Sequence, residues 1–227
     1  MKQESPKALV REFFENTAGS YEKVVSLTTF GKDAIWKKEI IKKIPKCNSI
    51  LDLACGTGML TFRIAEKFFD SRIIGIDVTE SYLNVARKKL NPNQKISFLL
   101  CDAEKMDLTT KFDCIVSSYI PKYCLPSVLI ENCLNHLNPG GTIILHDFTY
   151  PQNMVVKTLW NLYFVILKVA GQLAPNWKDV FENLPKLIKS SDWVNDYKNV
   201  MKRNGLHVQI SYLTLCSSAI LTGTKKI

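Results

Sequence analysis

The chain has 227 residues, 30 lysines and arginines against 21 acids for a net charge of +9, and seven cysteines. That length suits one α/β domain over residues 1–227 with a full core. The cysteines, odd in number and without a C-x-x-C pair, argue against a secreted disulfide framework and structural zinc, and favour a reducing cytoplasm. The lysines are scattered and no zinc-finger or RNP1-like pattern occurs, so the charge alone does not make nucleic acid the partner.

The N-terminal MKQESPKALVREFFEN is charged throughout and lacks an apolar stretch of export-signal length. Leu9, Val10, Phe13 and Phe14 have helical spacing, which predicts a helix from Pro6 to Asn16 with Ser5 as its cap. Tyr21 follows Ala18-Gly19-Ser20, and a second helix is predicted from about Lys32 to Ile44. Residues 1–45 thus read as a helical cap, with Tyr21, Phe30 and Trp36 either lining a pocket or merely covering a sheet edge.

Ser49 to Thr61, SILDLACGTGMLT, organises the rest. Ile50, Leu51 and Leu53 form an apolar run that breaks at Cys55-Gly56-Thr57-Gly58 and resumes with helical spacing at Leu60, Ile64, Ala65 and Phe68: strand, tight turn, helix. Gly56 and Gly58 allow positive φ and close approach of a ligand to the main chain. A second strand, Arg72 to Ile76, then delivers Asp77, which in a doubly wound sheet reaches the ribose hydroxyls of an adenosine ligand. A dinucleotide fingerprint requires a third small residue where Thr61 stands. The frame is instead D-x-x-x-G-x-G, with Asp52 placed to meet a cationic amine, and it resembles motif I of the class I S-adenosylmethionine (SAM) methyltransferases.

The alternation continues with a helix from about Glu80 to Leu90, strands Ile96 to Cys101 and Phe112 to Ser117, a helix Ser127 to Leu137 and a strand Thr142 to Phe148. Asp102-Ala103 closes the third strand, where an acid beside a small residue accepts a hydrogen bond from an adenine amino group or simply serves the turn. Residues 149–191 exceed what the fold needs and read as a helical lid. Met154 to Ala170 is apolar but interrupted by Lys157 and Lys168 and short of a span, which leaves a core or lid helix or an interfacial one touching a membrane peripherally. Lys178 to Lys189 and Asp192 to Arg203 are further helices, the last stopped by Gly205. HVQISYL and CSSAILTG, nearly adjacent, form an antiparallel hairpin. The predicted architecture is a Rossmann-like sheet of five parallel strands closed by that hairpin.

Beyond motif I, three stretches carry a closer resemblance: NTAGSYEKVVSLTTFGKDAIW (Asn16 to Trp36), FENLPKLI (Phe181 to Ile188) and the ending GLHVQISYLTLCSSAILTGTKK. With these the chain resembles the ubiquinone/menaquinone biosynthesis C-methyltransferases (UbiE-like). The resemblance implies SAM as cofactor, contacts to it from Tyr21, Thr61, Asp77, Asp102, Ala103 and Ser117, and a small, apolar or aromatic acceptor. The family's G-F-G-x-R-N stretch is here Ser118-Tyr119-Ile120-Pro121-Lys122-Tyr123, with Lys122 in the arginine's place, and its strand-five glutamate is Asp147. Lysine lacks arginine's planar bidentate fork.

Methylating a phenolic ring calls for a base or for stabilisation of a phenolate. His146, at the carboxyl end of the fifth strand, is the leading base candidate, with Tyr119, Lys122 and Tyr123 as alternatives and a non-catalytic, hydrogen-bonded histidine as the plain reading. The rival functions are a non-catalytic SAM-binding regulator and an RNA methyltransferase, the latter supported only by charge. The sequence leaves the oligomeric state and the methylated atom open.

Overall fold

The computed structural model describes residue 10 and residues 13–225. The predicted helix Pro6 to Asn16 lies largely outside them. A helix absent from the sequence reading follows, α1 (Tyr21–Thr28), and then α2 (Lys32–Lys43). The alternating body is β1 (Ser49–Leu53), α3 (Met59–Lys67), β2 (Arg72–Asp77), α4 (Glu80–Lys88), β3 (Ile96–Leu100), β4 (Phe112–Ser118), a 3-10 turn (Pro121–Tyr123), α5 (Pro126–Asn135) and β5 (Leu137–Phe148). After it come α6 (Met154–Gly171), α7 (Pro175–Ser190), α8 (Trp193–Arg203), β6 (His207–Leu213) and β7 (Ser218–Thr224).

The seven strands form one sheet in the order β3-β2-β1-β4-β5-β7-β6, parallel through β5 and antiparallel in the last two. All five residues of β1 are buried, as expected of a parallel strand covered on both faces. Strand parity divides them. Ile50, Cys114, Val116 and Ile144 face a layer made by α2, α3 and α4, whereas Leu51, Leu53, Ile115, Ile143 and Leu145 face α5 and α8. β5 starts at Leu137, earlier than predicted, because Pro139-Gly140-Gly141 enters the strand as an irregularity that shifts register between Phe112 and Cys114, with Gly140 at φ 72°.

A third apolar cluster sits over the carboxyl edge of the sheet, where Phe13 and Tyr123 pack with Trp177, Val180 and Phe181 of α7. α7 approaches α6 closely at Gly171, where a Cβ would lie 3.2 Å from the Phe181 ring. α6 itself is no core helix: of its 18 residues only Trp160 and Gly171 are buried. By length and composition it is the one helix among the described residues apolar enough to cross a membrane. At helical rise it extends about 27 Å, at the lower end of what a spanning helix needs.

Candidate active site

The carboxyl ends of β1, β2 and β4 open into a cleft of about 1150 Å³, floored by Gly56, Asp77, Asp102, Ala103, Tyr119 and Lys122 and roofed by Val24, Val25 and Thr28 of α1 and Val180, Phe181 and Leu184 of α7. A smaller cleft of about 320 Å³ runs beneath the glycine turn and contains Asp52, Lys37, Cys55 and Thr57. Tyr21, Ala54, Gly56, Ser118 and Tyr119 border both, so the two volumes meet at these residues. This is the edge at which open α/β sheets place ligands.

The glycine turn is built as its sequence requires. Gly56 and Gly58 have φ of 56° and 82°, and Cys55 N–H donates to the Ile76 carbonyl at 2.9 Å, tying the turn to β2. The two glycines differ in duty. Gly56 lines the cleft, while a Cβ on Gly58 would lie 2.6 Å from the Phe62 ring, so Gly58 serves packing. Asp77 is fixed by two backbone donors, Gly56 N–H to Oδ2 and Thr79 N–H to Oδ1, each at 2.8 Å, and burial raises its pKa.

Asp52 is buried and accepts from Thr61 Oγ1 at 2.6 Å, and burial lifts its carboxyl to about 7. Lys37, a turn beyond Asp33 on α2, pairs with it and lines the same small cleft as Asp52. The small cleft therefore offers a carboxylate and an ammonium together, the pairing that an α-amino acid zwitterion satisfies. Thr61 and Ser117 border neither cleft. Thr61 orients Asp52, and the Ser117 hydroxyl donates to the Leu53 carbonyl at 2.6 Å. Asp102 and Ala103 line the main cleft, Asp102 also accepting the Glu104 N–H at 2.9 Å.

Tyr21 lies at the junction, stacked on Trp177 with centroids 6.2 Å apart and edge-on to Tyr82 at 5.0 Å. Trp36 instead belongs to the core, its indole N–H donating to Thr214 Oγ1 at 2.7 Å, and Phe30 is exposed. Tyr119 follows β4 with φ 78°, a left-handed conformation held by its N–H on the His146 carbonyl at 2.7 Å and by its hydroxyl donating to Asp33 Oδ1 at 2.7 Å. Ala54, at φ 52°, is the other strained non-glycine residue on the cleft wall.

His146 and Asp147 are adjacent in β5, and parity sends them to opposite faces. His146 points toward α2, against Trp36, fully buried, with Nδ1 sharing a hydrogen bond with Ser118 Oγ at 2.9 Å and Nε2 with Ser218 Oγ at 2.6 Å. It borders neither cleft, and burial holds its pKa well below the usual value. The structure therefore does not bring the leading base candidate to the cleft; the other two catalytic candidates, Lys122 and Tyr119, and the alternative Tyr123 do line it. Lys122 Nζ reaches Asp147 Oδ1 at 2.5 Å and the Tyr119 carbonyl at 3.1 Å, and lies 4.6 Å from the centroid of the Tyr123 ring. Burial lowers the lysine pKa, and the Asp147 charge opposes that shift. The two positions that depart from the resembled pattern, Lys122 and Asp147, are thus each other's partner.

Sequence reading missed Asp33, Lys37, Tyr82 and Trp177. The Asp33–Lys37 spacing of i,i+4 is visible in the sequence, but such pairs are ordinary on exposed helix faces, and only burial marks this one out.

The layered fold, the glycine turn with its paired acids and the roofed cleft define a class I SAM-dependent methyltransferase. Among solved structures, the plantazolicin methyltransferase BpumL in complex with a monoazolic desmethylPZN analog and S-adenosylhomocysteine superimposes with a TM-score of 0.66 at 14% identity, covering 98% of this chain and 95% of that one. Residues 1–225 match the ubiE/COQ5 methyltransferase family, and the chain belongs to it. Similar curated relatives are the demethylmenaquinone methyltransferase of Bacteroides fragilis, 25% identical over 95% of this chain and 92% of that protein, and the ubiquinone/menaquinone biosynthesis C-methyltransferase UbiE of Rickettsia prowazekii, 27% identical over 93% and 90%.

Proposed function

We propose that the protein transfers a methyl group from SAM to a ring carbon of a hydroquinone bearing an apolar substituent, in the cytoplasm, where its seven free cysteines stay reduced. The observation that carries this reading is the shape of the site: a cofactor edge of opposite charges and fixed acids opens into an apolar compartment whose buried cation is Lys122. The relatives named for demethylmenaquinone and ubiquinone/menaquinone methylation support the same acceptor class.

In this reading Asp77 and Asp102 hold the ribose and adenine, and Asp52 and Lys37 the amino and carboxylate groups of the methionyl end. Tyr21 and Tyr119, which border both clefts, would face the sulfonium, to whose binding an aromatic face contributes about 0.5–2 kcal/mol. The acceptor occupies the compartment beneath α7. Its ionised hydroxyl is stabilised by the Lys122 ammonium, raising electron density on the ring carbon that attacks the methyl. The carbon–carbon bond would form as the sulfur–methyl bond breaks, giving a dienone whose ring-carbon proton moves to its oxygen and restores the aromatic hydroquinone, while the hydroxyl proton lost on ionisation is the one released to solvent. A roofed cleft holds the partners in attacking position and limits access of water.

The test is incubation with methyl-deuterated SAM and a reduced naphthoquinol or benzoquinol carrying a prenyl chain, followed by mass spectrometry and NMR of the product. Label on a ring carbon is the expected result; label on the hydroxyl oxygen, or none with any quinol while RNA or another acceptor is labelled, rejects the reading.

A further inference from the structure

We infer that the outer face of α6, with the adjoining α1–α2 turn, is a docking surface for an anionic lipid bilayer. Val155, Leu159, Leu162, Ile166 and Val169 recur along α6 at spacings of three and four and are all exposed, with Leu173 just beyond the helix 91% exposed. Leu27 and Phe30 extend this apolar surface off the helix, joined to it where Phe30 packs on Tyr163 and where the Tyr163 hydroxyl donates to the Thr28 carbonyl. So broad and continuous an apolar surface marks an interaction site.

Two observations choose a lipid surface. The first is charge: α6 contains no acid, and residues 154–190 carry five lysines against two acids within a chain of net charge +9. Lys157 and Lys189 lie over the Tyr150 ring beside the helix, while the charge of Lys168 is offset by Glu182, and the exposed stripe itself carries no charge. That is the pattern of an amphipathic helix lying in an anionic interface, its apolar face inserted and its cations among the headgroups. The second is position. Thr28, Val24 and Val25 of α1 roof the main cleft from inside, while Leu27 of the same helix faces outward in the patch. Docking therefore lays the cleft's roof against the bilayer, a short path for an apolar molecule. The surface stands on these residues whichever acceptor the cleft takes.

Sedimentation of the full chain with vesicles of phosphatidylcholine, with and without phosphatidylglycerol, tests the assignment. Wild type is expected to pellet with the anionic vesicles, less with neutral ones, and less as salt rises. Each exposed leucine or isoleucine is worth about tenfold in partitioning, so Leu162→Glu/Ile166→Glu should lower binding by about a hundredfold while the affinity for SAM, read on the same preparation, is retained. Leu27→Ser/Phe30→Ser, outside α6, is expected to weaken binding in the same direction. A wild-type protein that stays in the supernatant, or double variants that bind as well as it does, overturns the proposal. So does a dimer in analytical ultracentrifugation that Leu162→Glu/Ile166→Glu dissolves and vesicles do not, since the patch is then an interface between copies.

Discussion

If Asp52 holds the cofactor's amino group, binding must drive off the proton that burial keeps on the carboxyl. With its pKa lifted to about 7, Asp52 is mostly protonated at pH 6 and mostly ionised at pH 8. A cofactor whose ammonium binds only the ionised form then releases about 0.9 proton per complex at pH 6, and its affinity rises about tenfold from pH 5 to pH 6. An amino group of pKa about 7.7–8.0 stays charged through the lower part of this window, so the trend belongs to Asp52. The same shift has a consequence for stability. A raised folded pKa stabilises fully below the unfolded value of about 3.9 and loses that contribution as pH rises through about 7. Calorimetry of S-adenosylhomocysteine binding at pH 6 in buffers of different ionisation enthalpy measures the released proton directly. Asp52→Asn should bind more weakly and release none. Release below about 0.2 proton at pH 6, or equal release from Asp52→Asn, refutes the placement of the amino group.

Lys122→Met strands the Asp147 carboxylate in the core and should cost about 3–5 kcal/mol in denaturant unfolding. Lys122→Met/Asp147→Leu should recover most of that, yet in both variants kcat should fall by about 10²–10³ with cofactor affinity little changed. Asp77→Ala removes the acceptor of the Gly56 and Thr79 amides together with the proposed ribose contact, and should weaken S-adenosylhomocysteine binding by at least about 2 kcal/mol in calorimetry. His146→Gln should leave kcat within about threefold but alter acid stability. A histidine buried neutral contributes fully above its unfolded pKa of about 6.5 and costs up to about 1.4 kcal/mol per unit as pH falls below that value, so the variant's melting temperature should depend less on pH between 5 and 6.5. Gly58→Ala, forced to φ 82° against the Phe62 ring, should lower stability by about 1–3 kcal/mol in thermal unfolding.

The order of strands and helices, the motif I turn and the two acids at its edge were legible because they depend on local periodicity, on glycine at positive φ and on spacing along one βαβ unit. The C-terminal hairpin was legible for a similar reason: two strands so close in sequence have no other way to pair. His146 and Asp147 show where such reading ends. Both stand at the ligand edge in sequence, but the parity of β5 and the layer covering each face decide that Asp147 meets Lys122 while His146 is enclosed by Ser118 and Ser218. Thr61 and Ser117, which the resemblance puts at the cofactor, border neither cleft: Thr61 Oγ1 donates to Asp52 and Ser117 Oγ to the Leu53 carbonyl. α6 reads by composition as a core or lid helix or as an interfacial one, and only the packing of α7 inside it leaves its apolar face outward. Local sequence determined which elements form and which backbone turns they need. Tertiary structure decided which side of each element meets the cleft, because that depends on the layer packed against it from a distant part of the chain.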